Sequence, residues 1–219
     1  MSHWITEKVR QERIISILRG VPLERMEKTA EALFRGGVRI LEITFNQKSE
    51  SRLEDTARAI ETVRKLYGEE MIVGAGTVMS RAEVDAAAKA GAGFMLSPNT
   101  NLDVISYGCS RGIEMIPGAM TPSEIDSAYR AGAALIKLFP AGNLGLGYCK
   151  AVMGPINHIP MIAVGGVDLD NLRDFLKLGF LGAGIGSNIA KNSLILAGKY
   201  DELEMLAASY VKLAKSWEE

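Results

Sequence analysis

Short, nearly continuous apolar runs alternate along this chain with longer segments whose apolar residues recur at helical spacing. Successive apolar positions are typical of strands buried on both faces, which occur in parallel sheets covered by crossover helices. We therefore predict a parallel sheet of eight strands. The predicted strands are residues 14–18, 40–44, 71–74, 93–96, 114–116, 135–139, 161–164 and 183–186.

Helical patterns fill several of the intervals between these strands. The predicted helices include residues 23–34, 49–66, 81–90, 123–131 and 171–178. Ser80, Thr121 and Asp168 are predicted N-caps, because their side-chain oxygens can accept N–H groups of a first helical turn. A small residue followed by Gly precedes several strands, as at Ala90-Gly91 and Ala131-Gly132, and Gly179 has a similar place after Leu178. Glycine there permits the left-handed conformation that ends a helix.

Eight strand and helix units in 219 residues match the lower end of the size range of the (β/α)8 or TIM barrel. A doubly wound open sheet is the structural alternative. No linker or low-complexity stretch divides the chain, so we predict an α/β protein with one (β/α)8-barrel domain over residues 1–219.

Composition and charge place the chain among ordinary globular proteins. Apolar residues make up 47%, charged residues 23%, and the formal net charge is -1, so no nucleic-acid or membrane partner is indicated. The charged N-terminal segment lacks the apolar region of a secretory signal, and no apolar run is long enough to span a bilayer. We expect a cytoplasmic protein.

Cysteine and histidine are too scarce for a disulfide framework or a closed zinc site. The chain has Cys109, Cys149, His3 and His158 and no others of either type. We expect both cysteines to be buried small apolar residues. No acidic cluster suggests magnesium or calcium, so no metal or other cofactor is predicted.

Lys137 interrupts an apolar run that is predicted as a central strand. A lysine on an edge strand can extend its amine into solvent, but a closed barrel has no edge strand. An amine with a pKa of about 10.4 is neutral in only roughly one molecule in several thousand at pH 7. Burial lowers that pKa and frees the amine to attack a carbonyl, so we predict a nucleophilic lysine.

Glu42 interrupts the strand at residues 40–44 in the same way. A buried carboxylate must be paired, protonated or functional, and pairing with a buried cation is the structural alternative. Schiff-base chemistry at Lys137 would need a proton shuttle close to the amine. A carboxyl group whose pKa is raised by burial suits that role.

Glycine-bearing segments end the seventh and eighth predicted strands, at Val164-Gly165-Gly166-Val167 and at Gly184-Ile185-Gly186-Ser187-Asn188. Turn glycines are the simple structural explanation. Barrels, however, often bind phosphate after these two strands through backbone N–H groups, and glycine permits their close approach. With the Ser187 hydroxyl added, the pattern predicts a phosphate site.

Three further candidates follow other strands. Thr77 places a hydroxyl after the third strand, and Arg19 follows the first strand, where it could hold a carboxylate or a phosphate. An ordinary surface arginine is the alternative for Arg19. Pro98 is expected to shape its loop rather than to react.

Taken together, these motifs resemble the 2-keto-3-deoxy-6-phosphogluconate and 4-hydroxy-2-oxoglutarate aldolase family over nearly the whole chain. The phrases that carry the resemblance are Leu41-Glu42-Ile43-Thr44, Gly74-Ala75-Gly76-Thr77-Val78, Ser97-Pro98-Asn99, Pro117-Gly118, Thr121-Pro122-Ser123-Glu124, Lys137-Leu138-Phe139-Pro140-Ala141 and Gly165-Gly166. Singly they are weak, and together they are highly specific.

The resemblance implies a metal-free class I aldolase, usually a homotrimer, that cleaves a phosphorylated 2-keto-3-deoxy sugar acid to pyruvate and glyceraldehyde 3-phosphate. It implies that Lys137 holds pyruvate as an imine and that Glu42 moves protons. Thr77 would help to hold the pyruvate carboxylate. The predicted substrate site also includes Asn46, Pro98, Phe139, Gly165, Gly166, Gly186 and Ser187, and barrel geometry adds Arg19.

One position departs from the gluconate pattern. Asn46 stands where those enzymes carry an arginine, and Arg19 could supply the missing charge. Asn46 and Val164 look more like the branch acting on 2-keto-3-deoxy-6-phosphogalactonate. That substrate differs from the gluconate in the configuration at one hydroxyl-bearing carbon, and a side chain with a methyl group in place of a hydroxyl can alter recognition of the substrate hydroxyl. Stereochemical preference and activity on 4-hydroxy-2-oxoglutarate both stay open at this point.

Two other functions keep part of the same pattern. A barrel epimerase or synthase acting on sugar phosphates would use the phosphate site without forming an imine. A non-catalytic protein that binds phosphorylated metabolites would have no use for both Lys137 and Glu42. Pyruvate trapping on Lys137 separates the aldolase from both.

Overall fold

The computed structural model describes residues 3–216. The strands are β1 (Ile14–Leu18), β2 (Ile40–Thr44), β3 (Ile72–Gly76), β4 (Phe94–Leu96), β5 (Glu114–Ile116), β6 (Gly118–Ala119), β7 (Ile136–Leu138), β8 (Met161–Val164) and β9 (Ala183–Ile185). The helices are α1 (Trp4–Glu12), α2 (Leu23–Arg35), α3 (Arg52–Tyr67), α4 (Arg81–Lys89), α5 (Leu102–Ser110), α6 (Pro122–Arg130), α7 (Ala141–Met153), α8 (Leu172–Lys177), α9 (Asn192–Leu196) and α10 (Tyr200–Lys215).

The strands form one parallel sheet in the order β5-β4-β3-β2-β1-β9-β8-β7-β6. Pro117 alone separates β5, which pairs with β4, from β6, which pairs with β7. The two segments therefore act as one interrupted barrel strand, and the chain itself joins the two ends of the sheet. Eight strand positions then surround the axis, which confirms the predicted (β/α)8 barrel.

Alternate strand residues face two different apolar layers. In β1, Ile15 and Ile17 belong to the cluster inside the barrel, whereas Ile14 and Leu18 pack in the outer cluster with residues of the helices. The same alternation places Ile136 and Leu138 in the outer layer and turns Lys137 between them inward.

Helix α1 covers the N-terminal end of the barrel. Ile5 and Val9 are fully buried in the inner cluster, and the Thr6 hydroxyl donates to the Ala134 carbonyl at 2.9 Å. Because these residues fill the barrel at that end, open space remains at the opposite end, where the strands finish at their carboxyl termini.

The local predictions are largely confirmed, with two corrections. Ser80 and Thr121 each form a capping box, as predicted. Asp168 is not a helix N-cap, because its Oδ1 accepts the N–H groups of Asp170 and Asn171 in a turn before α8. Cys149 is buried, but Cys109 is only partly buried and donates its thiol to a backbone carbonyl.

Neither a membrane span nor a metal cluster is found within residues 3–216. The helices there are too short or too polar to cross a bilayer. No group of three or more His, Cys, Asp or Glu residues in that part of the chain is arranged to hold a metal ion.

Candidate active site

A cavity of about 210 Å³ opens at the carboxyl ends of the strands. Its lining consists of Ile17, Arg19, Pro98, Lys137, Phe139, Val164, Gly165, Gly166, Val167, Gly184, Ile185, Gly186, Ser187 and Asn188. Eight of the eleven predicted site residues are therefore brought together here. Barrel enzymes place their catalytic groups at this end of the strands.

Lys137 lies in the middle of β7 with 4% of its surface exposed. Its Nζ is 5.0 Å from the centroid of the Phe139 ring. Burial lowers the pKa of the Lys137 amine, Glu42 opposes that shift, and the positive charge of Arg19 adds to it. The neutral, nucleophilic form of the amine is therefore more abundant than in an exposed lysine.

Glu42 is completely buried in β2. Neither of its carboxylate oxygens has a hydrogen-bond partner among the described residues. Burial raises the pKa of Glu42, although the nearby charges of Lys137 and Arg19 oppose this. A carboxyl group that a cation merely stabilised would be in contact with that cation, so the unpartnered oxygens favour a functional group over a structural pair.

Glycines on the inner face of β3 make the space that Glu42 occupies. A Cβ atom at Gly76 would lie 1.8 Å from Oε1 of Glu42, and one at Gly74 would lie 2.6 Å from the Phe94 ring. Any side chain at Gly76 would therefore displace the carboxylate. The repeated glycines of this strand serve packing inside the barrel, not only the turn that follows.

The loop after β8 presents backbone donors to the cavity. Gly165 and Gly166 have φ angles of 88° and 73°, which glycine adopts without strain. The Gly165 carbonyl accepts the Gly142 N–H at 2.7 Å, and the Gly166 carbonyl accepts the Asn171 amide at 2.9 Å. The carbonyl groups of Gly165 and Gly166 therefore accept hydrogen bonds from residues outside the loop and leave the N–H groups of the loop unused by them.

Four N–H groups of the lining have no acceptor within residues 3–216: those of Gly166, Val167, Ser187 and Asn188. Ser187 is also exposed and has a free hydroxyl in that part of the chain. Unpaired backbone donors grouped with a hydroxyl can bind an anion such as a phosphate.

Three predicted site residues lie outside this lining: Glu42, whose buried position is described above, Asn46 and Thr77. Asn46 borders a neighbouring cavity of about 340 Å³ between α2 and α3, and its Oδ1 accepts the Lys48 N–H at 3.2 Å. Thr77 follows Gly76 and is partly buried, with a φ angle of 58°. The loop geometry separates Asn46 from the cavity that contains Lys137.

Several lining residues were not predicted as site residues from the sequence, among them Ile17, Val167 and Asn188. Asn188 directly follows Ser187, and its amide donates to the Val167 carbonyl at 2.8 Å. The inward alternation of β1 could have indicated Ile17. The Asn188 contact joins two loops and has no local sequence signal.

Comparison with known proteins gives a consistent result. The family model described as "Aldolase: KDPG and KHG aldolase" matches residues 5–206. A probable 2-dehydro-3-deoxy-6-phosphogalactonate aldolase of Rhizobium meliloti (strain 1021) is 35% identical over 179 residues, covering 81% of this chain and 82% of that protein. A 2-dehydro-3-deoxy-phosphogluconate aldolase of Treponema pallidum (strain Nichols) is 30% identical over 213 residues, covering 95% and 97%.

The fold comparison agrees with the sequence comparison. The solved structure described as "Native KDPGal structure" superposes with a TM-score of 0.82 at 31% identity, covering 94% of this chain and 95% of that one. The family model covers residues 5–206, and Lys137 and Glu42 are both buried in the barrel. The chain therefore belongs to the KDPG and KHG aldolase family.

Proposed function

We propose that this protein is a class I aldolase that reversibly cleaves a 2-keto-3-deoxy-6-phospho sugar acid to pyruvate and glyceraldehyde 3-phosphate. The observation that carries the proposal is the buried pair formed by an amine of lowered pKa at Lys137 and a carboxyl of raised pKa at Glu42. Relatives named for the gluconate and the galactonate substrates support the substrate class.

The reaction begins when neutral Lys137 attacks the C2 carbonyl of the substrate. A carbinolamine forms, Glu42 donates a proton to its hydroxyl, and water leaves to give a protonated imine. The imine nitrogen can now accept the electron pair of the bond between C3 and C4.

Carbon-carbon cleavage follows at the same two residues. Glu42, now ionised, removes the proton of the C4 hydroxyl, the C3-C4 bond breaks, and its electrons move to the imine as an enamine. The aldehyde product leaves. Glu42 returns the proton to C3, and water hydrolyses the resulting pyruvate imine to free Lys137. The raised pKa of Glu42 suits this alternation between acid and base.

The far end of the substrate is held by the donors around Gly166 and Ser187. A phosphate there would accept the unpaired N–H groups of both loops and the Ser187 hydroxyl. Binding energy from this remote group orients the reacting carbon over Lys137. Arg19 borders the same cavity and supplies a cation for the substrate's charged groups.

The family relatives carry both sugar-acid names, and the most similar one reported above is named for the galactonate. Val164 borders the cavity beside the glycine pair, where a methyl group cannot bind a substrate hydroxyl by hydrogen bonding. We therefore propose 2-keto-3-deoxy-6-phosphogalactonate as the preferred substrate, with 4-hydroxy-2-oxoglutarate as a further substrate.

We also propose that residues 1–219 act as one barrel domain, in a cytoplasmic homotrimer. The resemblance to the family supports the trimer. A phosphorylated substrate carries about two negative charges near pH 7 and crosses membranes poorly, which supports action inside the cell. Mass measurement of the purified protein in solution tests the trimer.

Trapping of pyruvate tests the function. We expect incubation with pyruvate and borohydride to give a reduced adduct that peptide mapping places on Lys137. The Lys137→Met variant should give no adduct, while Lys150→Met, which changes an exposed lysine of α7, should be trapped like the wild type. A folded wild type without an adduct, or an adduct at another lysine, contradicts the assignment.

A further inference from the structure

Thr77 has a backbone conformation that its own side chain disfavours. Its φ of 58° lies in the left-handed region, and among residues 3–216 the other non-glycine residue with a positive φ is Arg13. For a β-branched residue this conformation is a genuine outlier. It persists where surrounding contacts hold it, and such positions are concentrated at functional sites.

The side chain of Gln47 contacts Thr77 from the loop after β2. Its Nε2 donates to the Thr77 carbonyl at 3.0 Å and to Oε1 of Glu83 at 2.8 Å. Both partners are acceptors, so the nitrogen of the amide must face them, and its two hydrogens are both used. The orientation of Gln47 is therefore set by Glu83.

The carboxylate of Glu83, in the first turn of α4, is buried and both of its oxygens accept hydrogen bonds. It is 1% exposed, and its Oε2 accepts the N–H groups of Met79 at 2.7 Å and Ser80 at 3.0 Å. Those bonds already serve the cap of α4. Its other oxygen, Oε1, accepts from Gln47 and from Nε of Arg52 at 3.1 Å, which joins the loops after β2 and β3.

The chain on either side of Thr77 is also fixed. The Gly76 carbonyl accepts the Phe45 N–H, and the Val78 N–H donates to the Leu96 carbonyl, both at 2.9 Å. The Thr77 N–H and hydroxyl, in contrast, have no partner in the described part of the chain. These two free donors directly follow Gly76, whose missing side chain makes room for the Glu42 carboxylate.

We propose that Gln47 and Glu83 are positioning residues for the aldolase reaction: they hold Thr77 left-handed, so that its N–H and hydroxyl stay directed to the carboxylate of bound pyruvate. This inference rests on the proposed function and deepens it. Neither side chain lines the cavity that contains Lys137, and Thr77 does not line it either. Thr77 directly follows Gly76, against which the Glu42 carboxylate packs, so both residues act through Thr77.

The test measures how the rate of borohydride trapping depends on pyruvate concentration. Gln47→Leu keeps the size of the side chain but removes both donors, and we expect the half-saturating pyruvate concentration to rise about tenfold. The rate at saturation should change far less, because Lys137 and Glu42 are not moved. Gln11→Leu makes the same change on the exposed face of α1 and should match the wild type.

A double variant distinguishes positioning from a separate effect. Thr77→Gly removes the hydroxyl and also the need for a restraint, since glycine accepts a positive φ. We expect Gln47→Leu added to Thr77→Gly to cause no further rise in the half-saturating concentration. Glu83→Gln, which leaves one acceptor oxygen, should weaken pyruvate binding in the same direction and provides a second variant if Gln47→Leu is poorly folded.

The outcomes separate this inference from the proposed function. If the wild type is trapped at Lys137 and Gln47→Leu keeps the wild-type half-saturation, the positioning role is wrong. Additive losses in the double variant also overturn it, because Gln47 would then act elsewhere. If the folded wild type gives no adduct, the proposed function fails and takes this inference with it.

Discussion

Adding one methyl group at Gly76 should disable the enzyme although neither Lys137 nor Glu42 is substituted. The substitution Gly76→Ala places a Cβ atom 1.8 Å from Oε1 of Glu42 and 2.4 Å from its carboxyl carbon. Gly76 does not have a positive φ, so alanine fits the backbone there. The carboxylate must therefore move, and the cost comes from this contact.

The size of the effect follows from the distance. Real Cβ contacts essentially never fall below 3.0 Å, so Oε1 must shift by at least 1.2 Å, which is 3.0 minus 1.8. Misplacing a catalytic group by about 1 Å can reduce the rate about a hundredfold. We expect kcat to fall about a hundredfold, and overpacking to lower the free energy of unfolding by about 1–3 kcal/mol.

The assay follows pyruvate release by a coupled dehydrogenase, and denaturant unfolding measures stability in parallel. Gly147→Ala is the matched control, because a Cβ at Gly147 meets nothing within 4 Å. It lies in α7, so that variant should keep wild-type kcat and become slightly more stable. Glu42→Gln keeps the packing but loses the titratable group, so its stability should be preserved and its kcat should fall.

One result would refute the reasoning. If Gly76→Ala is folded and keeps kcat within about threefold of the wild type, then the position of the Glu42 carboxylate does not control the reaction. If Glu42→Gln also kept its kcat, the role of Glu42 as proton shuttle would have to be withdrawn.

Two further predictions concern the rim of the cavity. Arg19 lowers the pKa of Lys137, so Arg19→Gln should raise that pKa and move the acidic limb of the kcat/KM profile to higher pH, while Arg19→Lys keeps the charge and should move it less. An unchanged limb in Arg19→Gln would contradict this electrostatic link. Gly165→Ala forces a side chain into a φ of 88° and to within 3.0 Å of the Phe139 ring, so KM for the phosphorylated substrate should rise about tenfold or more. Trapping of pyruvate, which has no phosphate, should be nearly unchanged in that variant, and an equal loss with both ligands would argue against a phosphate site there.

The sequence predicted most of the barrel because each buried strand is apolar on both faces. The bounds of β1, β2, β5 and β8 agree with the prediction. The end of β3 was placed two residues early, since the glycines at its end resemble a turn when their packing against Glu42 and Phe94 is unknown. The interruption at Pro117 likewise depends on pairing with two different neighbouring strands.

The site was predictable where a polar residue interrupts a buried strand. Lys137 and Glu42 stand out in this way, and burial of both is confirmed by the structure. Asn46 was grouped with them from family resemblance, but a turn in which Ser49 donates to the Asn46 carbonyl carries it to a neighbouring cavity. The contact between Gln47 and Glu83 spans 36 positions and leaves no periodic signal in the chain.

Within residues 3–216, α1 closes one end of the barrel, and the cavity that contains Lys137 has its entrance at the carboxyl ends of the strands. Ile5 and Val9 block the opposite end, and Lys137 lies deep in the interior with 4% of its surface exposed. Under the proposed mechanism, the aldehyde must leave through that entrance before the water that hydrolyses the pyruvate imine can reach it. Product release is therefore ordered, and steady-state inhibition by pyruvate should be competitive with the sugar acid, whereas inhibition by the aldehyde should not.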